Sequence, residues 1–146
     1  MARPVAIDTD FLLHLTETQE EQPRLCSLIQ EFFRGLDVTP EYHELLYRRE
    51  LPKRSPVVLQ LFQDRIVVIR AIADIITSYQ PAGGRYYEWV VQEVYREMTG
   101  RPYPCDVFDD WVSDQSLGEA HCVVMCAFLG YDCLLSDDKG AKQLQQ

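Results

Sequence analysis

Residues Pro4, Val5, Ala6 and Ile7 form an apolar run that ends on Asp8, the pattern of a short buried strand closing on a carboxylate. Thr9 or Asp10 can then cap a helix through Leu12, Leu13 and Leu15. Leu25, Leu28, Ile29, Phe32 and Phe33 recur at three- and four-residue spacing, which predicts an amphipathic helix over residues 23–33, ended by Gly35. Residues 36–38 read as a brief strand. Pro40 then opens a third helix carrying Tyr42, Leu45, Leu46 and Tyr47. Residues 57–62 fit a further helix, and the β-branched run over 65–70 fits a buried strand. From 71 to 79 helix and strand remain equally open. Gly83-Gly84 is a break before a helix over 86–98, and 100–116 is irregular, with two prolines and the acids Asp106, Asp109, Asp110 and Asp114. Gly118 starts the most apolar helix, over 119–129, which Gly130 ends. A strand over 132–136 runs into Asp137-Asp138, followed by a last short helix. Strands alternating with helices predict an α/β fold, with a parallel sheet between two layers of helices.

Composition narrows the class. With 146 residues, 47% of them apolar, the chain suits one domain, on a scale of roughly 100–200 residues each. That domain is expected to span residues 1–146, with a helical insertion around 71–117. The formal charge of −9 excludes a protein that coats nucleic acid by bulk attraction, though not one that touches it through a local patch. No apolar stretch approaches the ~20 residues needed to span a bilayer; the best, over 66–76, is broken by Arg70 and Asp74. Because the strand pattern begins at Pro4, no signal peptide is expected. The five cysteines are odd in number and include no CxxC pair, so the expectation is small buried residues in a reducing cytoplasm.

Ligands in open parallel sheets bind beyond the carboxyl ends of the strands. Asp8 and Asp137-Asp138 stand at two such ends, and Glu44 and Glu119 stand near the starts of two predicted helices. Four carboxylates on one rim repel one another unless protons or a cation compensate. Oxygen-only donors suit Mg²⁺ or Mn²⁺. Each acid also has a plainer reading: Asp8 and Asp137 as helix caps, Glu44 as a solvated helix residue, Glu119 as a partner of a helix dipole.

The order of these segments resembles the PIN-domain family. The resemblance rests on Ala6-Ile7-Asp8-Thr9-Asp10-Phe11-Leu12, on Glu44, on Leu117-Gly118-Glu119-Ala120 and on Leu134-Leu135-Ser136-Asp137-Asp138, and it spans nearly the whole chain. It implies a three-layer α/β/α sandwich and a metal-dependent ribonuclease. Asp8, Glu44, Glu119 and Asp137 would be the catalytic quartet holding Mg²⁺ or Mn²⁺. Asp138 would be an extra ligand, Glu41 the competitor for the second place, and Asp10 and Ser136 would stand behind the ligands. The same resemblance brings an RNA substrate, a toxin role with an antitoxin partner, and a homodimer into view. The long segment over 71–117 departs from compact toxin-type members.

Four basic residues, Arg48, Arg49, Lys53 and Arg54, lie just beyond Glu44 and are either a solvated face or a phosphate-contacting rim. Of the three histidines, His121 is expected buried and hydrogen-bonded, whereas His43 is a candidate to approach substrate; no metal-binding histidine spacing occurs. Tyr86, Tyr87 and Trp89 fit either base stacking or, at helical spacing, core or dimer contacts. Two other functions stay open: a PIN-like module that binds RNA or protein without cleaving, and a haloacid-dehalogenase-type phosphatase using Asp8-Thr9-Asp10. The latter motif is weakened by Leu12 where a Thr or Val is usual.

Overall fold

The computed structural model describes residues 2–16, 24–51, 54–79, 81–109, 111–112 and 114–136. Four parallel strands, β1 (Arg3–Ile7), β2 (Val38–His43), β3 (Val68–Arg70) and β4 (Leu134–Leu135), form one sheet in the order β3-β2-β1-β4. Val5 and Ile7 point into one apolar cluster and Ala6 into another, as the two-residue alternation of a strand requires. The first cluster gathers Leu12 of α1 (Thr9–Thr16), Cys26, Ile29 and Phe33 of α2 (Leu25–Leu36), Leu46 of α3 (Glu44–Glu50) and Leu61 of α4 (Pro56–Gln63). The second gathers Ile75 of α5 (Ile72–Ile76), Tyr87, Val91 and Tyr95 of α6 (Gly83–Thr99), and Leu117, Val124 and Met125 of α7 (Gln115–Leu129). The chain is an α/β protein with cores on both sheet faces, compatible with a three-layer sandwich.

Several boundaries differ from the sequence expectation: β2, β3 and β4 start two or three residues later than expected, and the Gly83-Gly84 pair, expected as a break, begins α6. Pro40 lies inside β2, paired with Val5, and α3 begins four residues later at Glu44. A proline fits there because β3 pairs with β2 only from Glu41 onward, so the missing N–H removes no bond on that side. The helix α2 runs through Gly35 and stops at Asp37, whose φ of 55° is left-handed. The last long helix starts at Gln115, capped by the Asp114 carboxylate accepting from Ser116 N–H, which puts Gly118 and Glu119 inside the helix. The uncertain stretch over 71–79 is α5 followed by a 3-10 turn. Gly83 opens α6 because a Cβ there would meet the Ile76 carbonyl at 2.5 Å. Among the described residues, no helix is long and apolar enough to cross a membrane.

Candidate functional site

After β1 the chain moves to β2 and β3 on one side, then returns to β4 on the other. The strand order therefore reverses between β1 and β4, and a crevice is expected at their carboxyl ends. A cleft of about 720 Å³ lies at the carboxyl end of β1. Its walls carry Asp8, Thr9 and Asp10 from the end of β1 and start of α1, and Arg48, Arg49 and Glu50 from α3. Trp111, Val112, Gln115, Gly118 and Glu119 come from α7 and the segment before it.

Asp8 is buried and held at both oxygens. Its Oδ1 accepts from Phe11 N–H at 2.8 Å, capping α1, and Oδ2 accepts from the Ser136 hydroxyl at the end of β4. Asp10 accepts from the Gln115 amide across the cleft. Glu119 is buried and lines the cleft one helical turn beyond Gln115.

The second acid is a correction to the sequence reading. Glu44 does not line the cleft: its carboxylate accepts from Arg48 at 2.8 Å and from Ile72 N–H at 2.9 Å, tying α3 to the start of α5. The Arg48 hydrogen bond, then the Ile72 amide, holds its pKa below the usual carboxylate range. The competing Glu41 is also elsewhere, buried and bonded to Arg70 at 2.7 Å and to the Tyr131 hydroxyl. Glu50, the last residue of α3, occupies the cleft instead. Burial pushes its carboxyl up to about 7; a hydrogen bond from Thr9 opposes that, and the charges of Asp10 and Asp8 add to it. The sequence carried one clue. A carboxylate at a helix C-terminus opposes the helix dipole, so its presence there calls for a reason.

Asp137, Asp138 and Lys53 lie outside the described residues. Of the basic cluster, Arg48 and Arg49 line the cleft, Arg49 donating to the Asp109 carbonyl. Arg54 does not. It lies 3.8 Å over the Tyr47 ring and donates to the Tyr47 carbonyl. His43 is not at the surface either: it is fully buried and its Nδ1 accepts from Leu45 N–H, capping α3. Its Nε2 therefore donates to Tyr87 Oη, which donates to His121 Nδ1, and His121 Nε2 donates to Tyr103 Oη. Burial lowers the pKa of His43 to about 3 and that of His121 well below its ordinary value. The indole of Trp111 stacks on His121 at 4.7 Å, so this buried network backs the cleft wall. Tyr87 belongs to it, while Tyr86 and Trp89 are exposed on α6, away from the cleft.

Comparison of the chain with profiles of known protein families, with curated proteins and with solved structures finds no match. The residues alone must carry the functional reading. Asp8, Glu50 and Glu119 offer the hard oxygen donors that Mg²⁺ and Mn²⁺ prefer; the Glu50 carboxyl is raised first by burial, with the charges of Asp10 and Asp8 a smaller addition. Their chemistry fits such an ion. Among the described residues, however, no three Asp, Glu, His or Cys side chains are gathered tightly enough to hold a metal as they stand.

Proposed function

We propose that this chain is a PIN-like, Mg²⁺- or Mn²⁺-dependent phosphodiesterase that cleaves RNA in the cleft at the carboxyl end of β1. One observation carries the reading: carboxylates from β1, α3 and α7 share a cleft at the sheet's switch point with two arginines. Asp8 and Glu119, which match the family's acidic positions, would hold the ion, joined by Glu50 and by Asp137 and Asp138 beyond the described residues. The ion would supply a water of lowered pKa at neutral pH. Arg48 and Arg49 would meet the phosphates on either side of the scissile bond. Ser136 and the Phe11 amide fix the Asp8 carboxylate, so its orientation is set before substrate arrives. Nothing in this arrangement needs a protein nucleophile.

The loosely gathered carboxylates favour a second reading, a PIN-like module that binds RNA or protein without cutting. A labelled single-stranded RNA separates the two. Under the first reading, wild-type protein with Mn²⁺ cleaves it, Asp8→Asn and Glu119→Gln do not, and all three bind it. Binding with no Mn²⁺-dependent cleavage by wild type supports the second. A toxin role with an antitoxin partner, a homodimer and a cytoplasmic setting belong to the proposal in either form.

A further inference from the structure

Among the described residues, Trp111 is the aromatic side chain that lines the cleft, and the irregular segment leading to it is well anchored. Val107 is buried in the second core cluster, and Phe108 stacks on Tyr87 at 5.9 Å. The Asp106 carboxylate accepts from the Phe108 and Asp109 amides at 2.9 and 3.1 Å, closing a turn. The indole N–H donates to the Val107 carbonyl at 2.9 Å, and one ring face lies on His121. His121 is in turn fixed by the Tyr87 hydroxyl at 2.6 Å and the Tyr103 hydroxyl at 3.0 Å. Because His121 is fully buried and does not line the cleft, the part of the indole that does is the side turned away from it. Val112, 50% exposed, extends the apolar wall. Arg49 donates to the Asp109 carbonyl, so a cation and the indole are tied to the same short stretch of chain.

From this geometry we propose that the Trp111 indole is a stacking platform for an unpaired nucleobase, with Arg49 meeting the phosphate of the same nucleotide. The cleft then selects single-stranded over duplex RNA. The inference deepens the RNA-binding reading above and needs neither a metal ion nor cleavage. Every base has a π-face, so stacking on an aromatic ring is tolerant of sequence. A base inside a duplex has both faces covered by its neighbours and cannot offer one to the indole. A ring already held by a hydrogen bond and by the imidazole behind it loses little freedom when a base settles on it. The exposed aromatics that sequence spacing offers for stacking, Tyr86 and Trp89, lie on α6 away from the cleft and its arginines.

The chain has two tryptophans, which makes the test direct. Trp89→Phe leaves Trp111 as the sole indole reporter. Its fluorescence is followed in EDTA, so that nothing is cut, during titration with adenosine, adenosine monophosphate, a short single-stranded oligoadenylate and an RNA duplex. Saturable quenching by the single strand is expected, with the duplex bound at least about tenfold more weakly, a factor within the worth of one stacked base. The monophosphate should bind more tightly than adenosine, and Arg49→Gln should remove that advantage. In the full chain with both tryptophans, labelled single-stranded RNA should bind Trp111→Leu about 10–100-fold more weakly and Trp111→Phe nearly as wild type. Because Trp111 also packs against the core, the melting temperature of each variant is recorded, and the single-reporter protein decides if Trp111→Leu does not fold. Single-strand binding that leaves Trp111 emission unchanged overturns the proposal, as does equal affinity for the duplex. A monophosphate bound as tightly as the oligoadenylate overturns it too, since the site then serves a free nucleotide. Quenching by RNA that wild type fails to cleave with Mn²⁺ upholds the platform and removes only the nuclease, whereas cleavage without quenching does the reverse.

Discussion

The two buried histidines and Glu50 make opposite contributions to acid stability, and replacing Glu50 by Gln should separate them. In the unfolded chain His43 and His121 titrate at their ordinary 6.5, while in the native network both stay neutral well below that. The native state then binds fewer protons, and stability falls as pH drops through 6.5. Between pH 7 and 5 each histidine costs about 2 kcal/mol, about 4 for the pair. Glu50 has the reverse sign. Its native carboxyl takes up a proton near 7 against 4.5 when unfolded, so acidification over the same interval returns about 2 kcal/mol. Wild type should lose about 2 kcal/mol from pH 7 to 5 by these three groups, and Glu50→Gln about 4. Urea denaturation in EDTA at pH 7, 6 and 5, followed by circular dichroism, measures both. All other groups are shared, so the difference between the two pH curves isolates Glu50. Parallel curves would refute the buried, charge-crowded carboxyl. A Glu50→Gln protein equally stable at pH 7 and 5 would refute the neutral histidine network.

Gly118→Ala should push the Glu50 carboxylate aside while gaining up to ~1 kcal/mol of helix propensity; the expected outcome is an unchanged or higher melting temperature without metal and a smaller Mn²⁺-induced rise. Arg48→Gln/Arg49→Gln should lower the slope of log affinity against log salt for single-stranded RNA by up to about 1.4, at most about 0.7 for each lost phosphate contact and less for Arg48 than for Arg49, whereas Arg54→Gln, outside the cleft, should leave that slope alone. Arg70→Met should leave the buried Glu41 without its cation and, among the described residues, with the Tyr131 hydroxyl as its partner, at a cost of about 3 kcal/mol by urea denaturation, part of which Glu41→Gln should restore.

The sheet was legible where a strand ended on a chemically distinctive residue. The run from Pro4 to Ile7 followed by Asp8 marks β1 and the cleft at once. The second acid was not legible, because it depends on where α3 begins. Proline is the usual signal for a helix start, and Pro40 is instead absorbed by β2. The actual cap is an imidazole, His43, which sequence reading does not expect in that role. Moving the start to Glu44 makes that residue the first of α3, bound to Ile72 and Arg48, and carries the helix on to Glu50 at the cleft. In the same way, the start of α7 at Gln115 depends on the Asp114 cap, which the acidic run around it conceals.

Under the proposed function, a chain of charge −9 would meet RNA against its own field, and the placement of its arginines bears on that difficulty. Beyond about 8 Å, charges are largely screened at physiological salt, so the global repulsion weakens before contact is made. Within that distance the local surface decides. There Arg48 is partly neutralised by Glu44, while among the described residues Arg49 donates to the neutral Asp109 carbonyl at the cleft. Arg49 should therefore carry more of the phosphate attraction than Arg48. Salt has two opposing effects on such a protein: it screens the long-range repulsion and it competes with the arginine contacts. The observed salt dependence should accordingly be shallower than the number of phosphate contacts implies. A divalent cation bound among Asp8, Glu50 and Glu119 would shift the balance further, since it removes negative charge at the one place where a phosphate must approach a carboxylate.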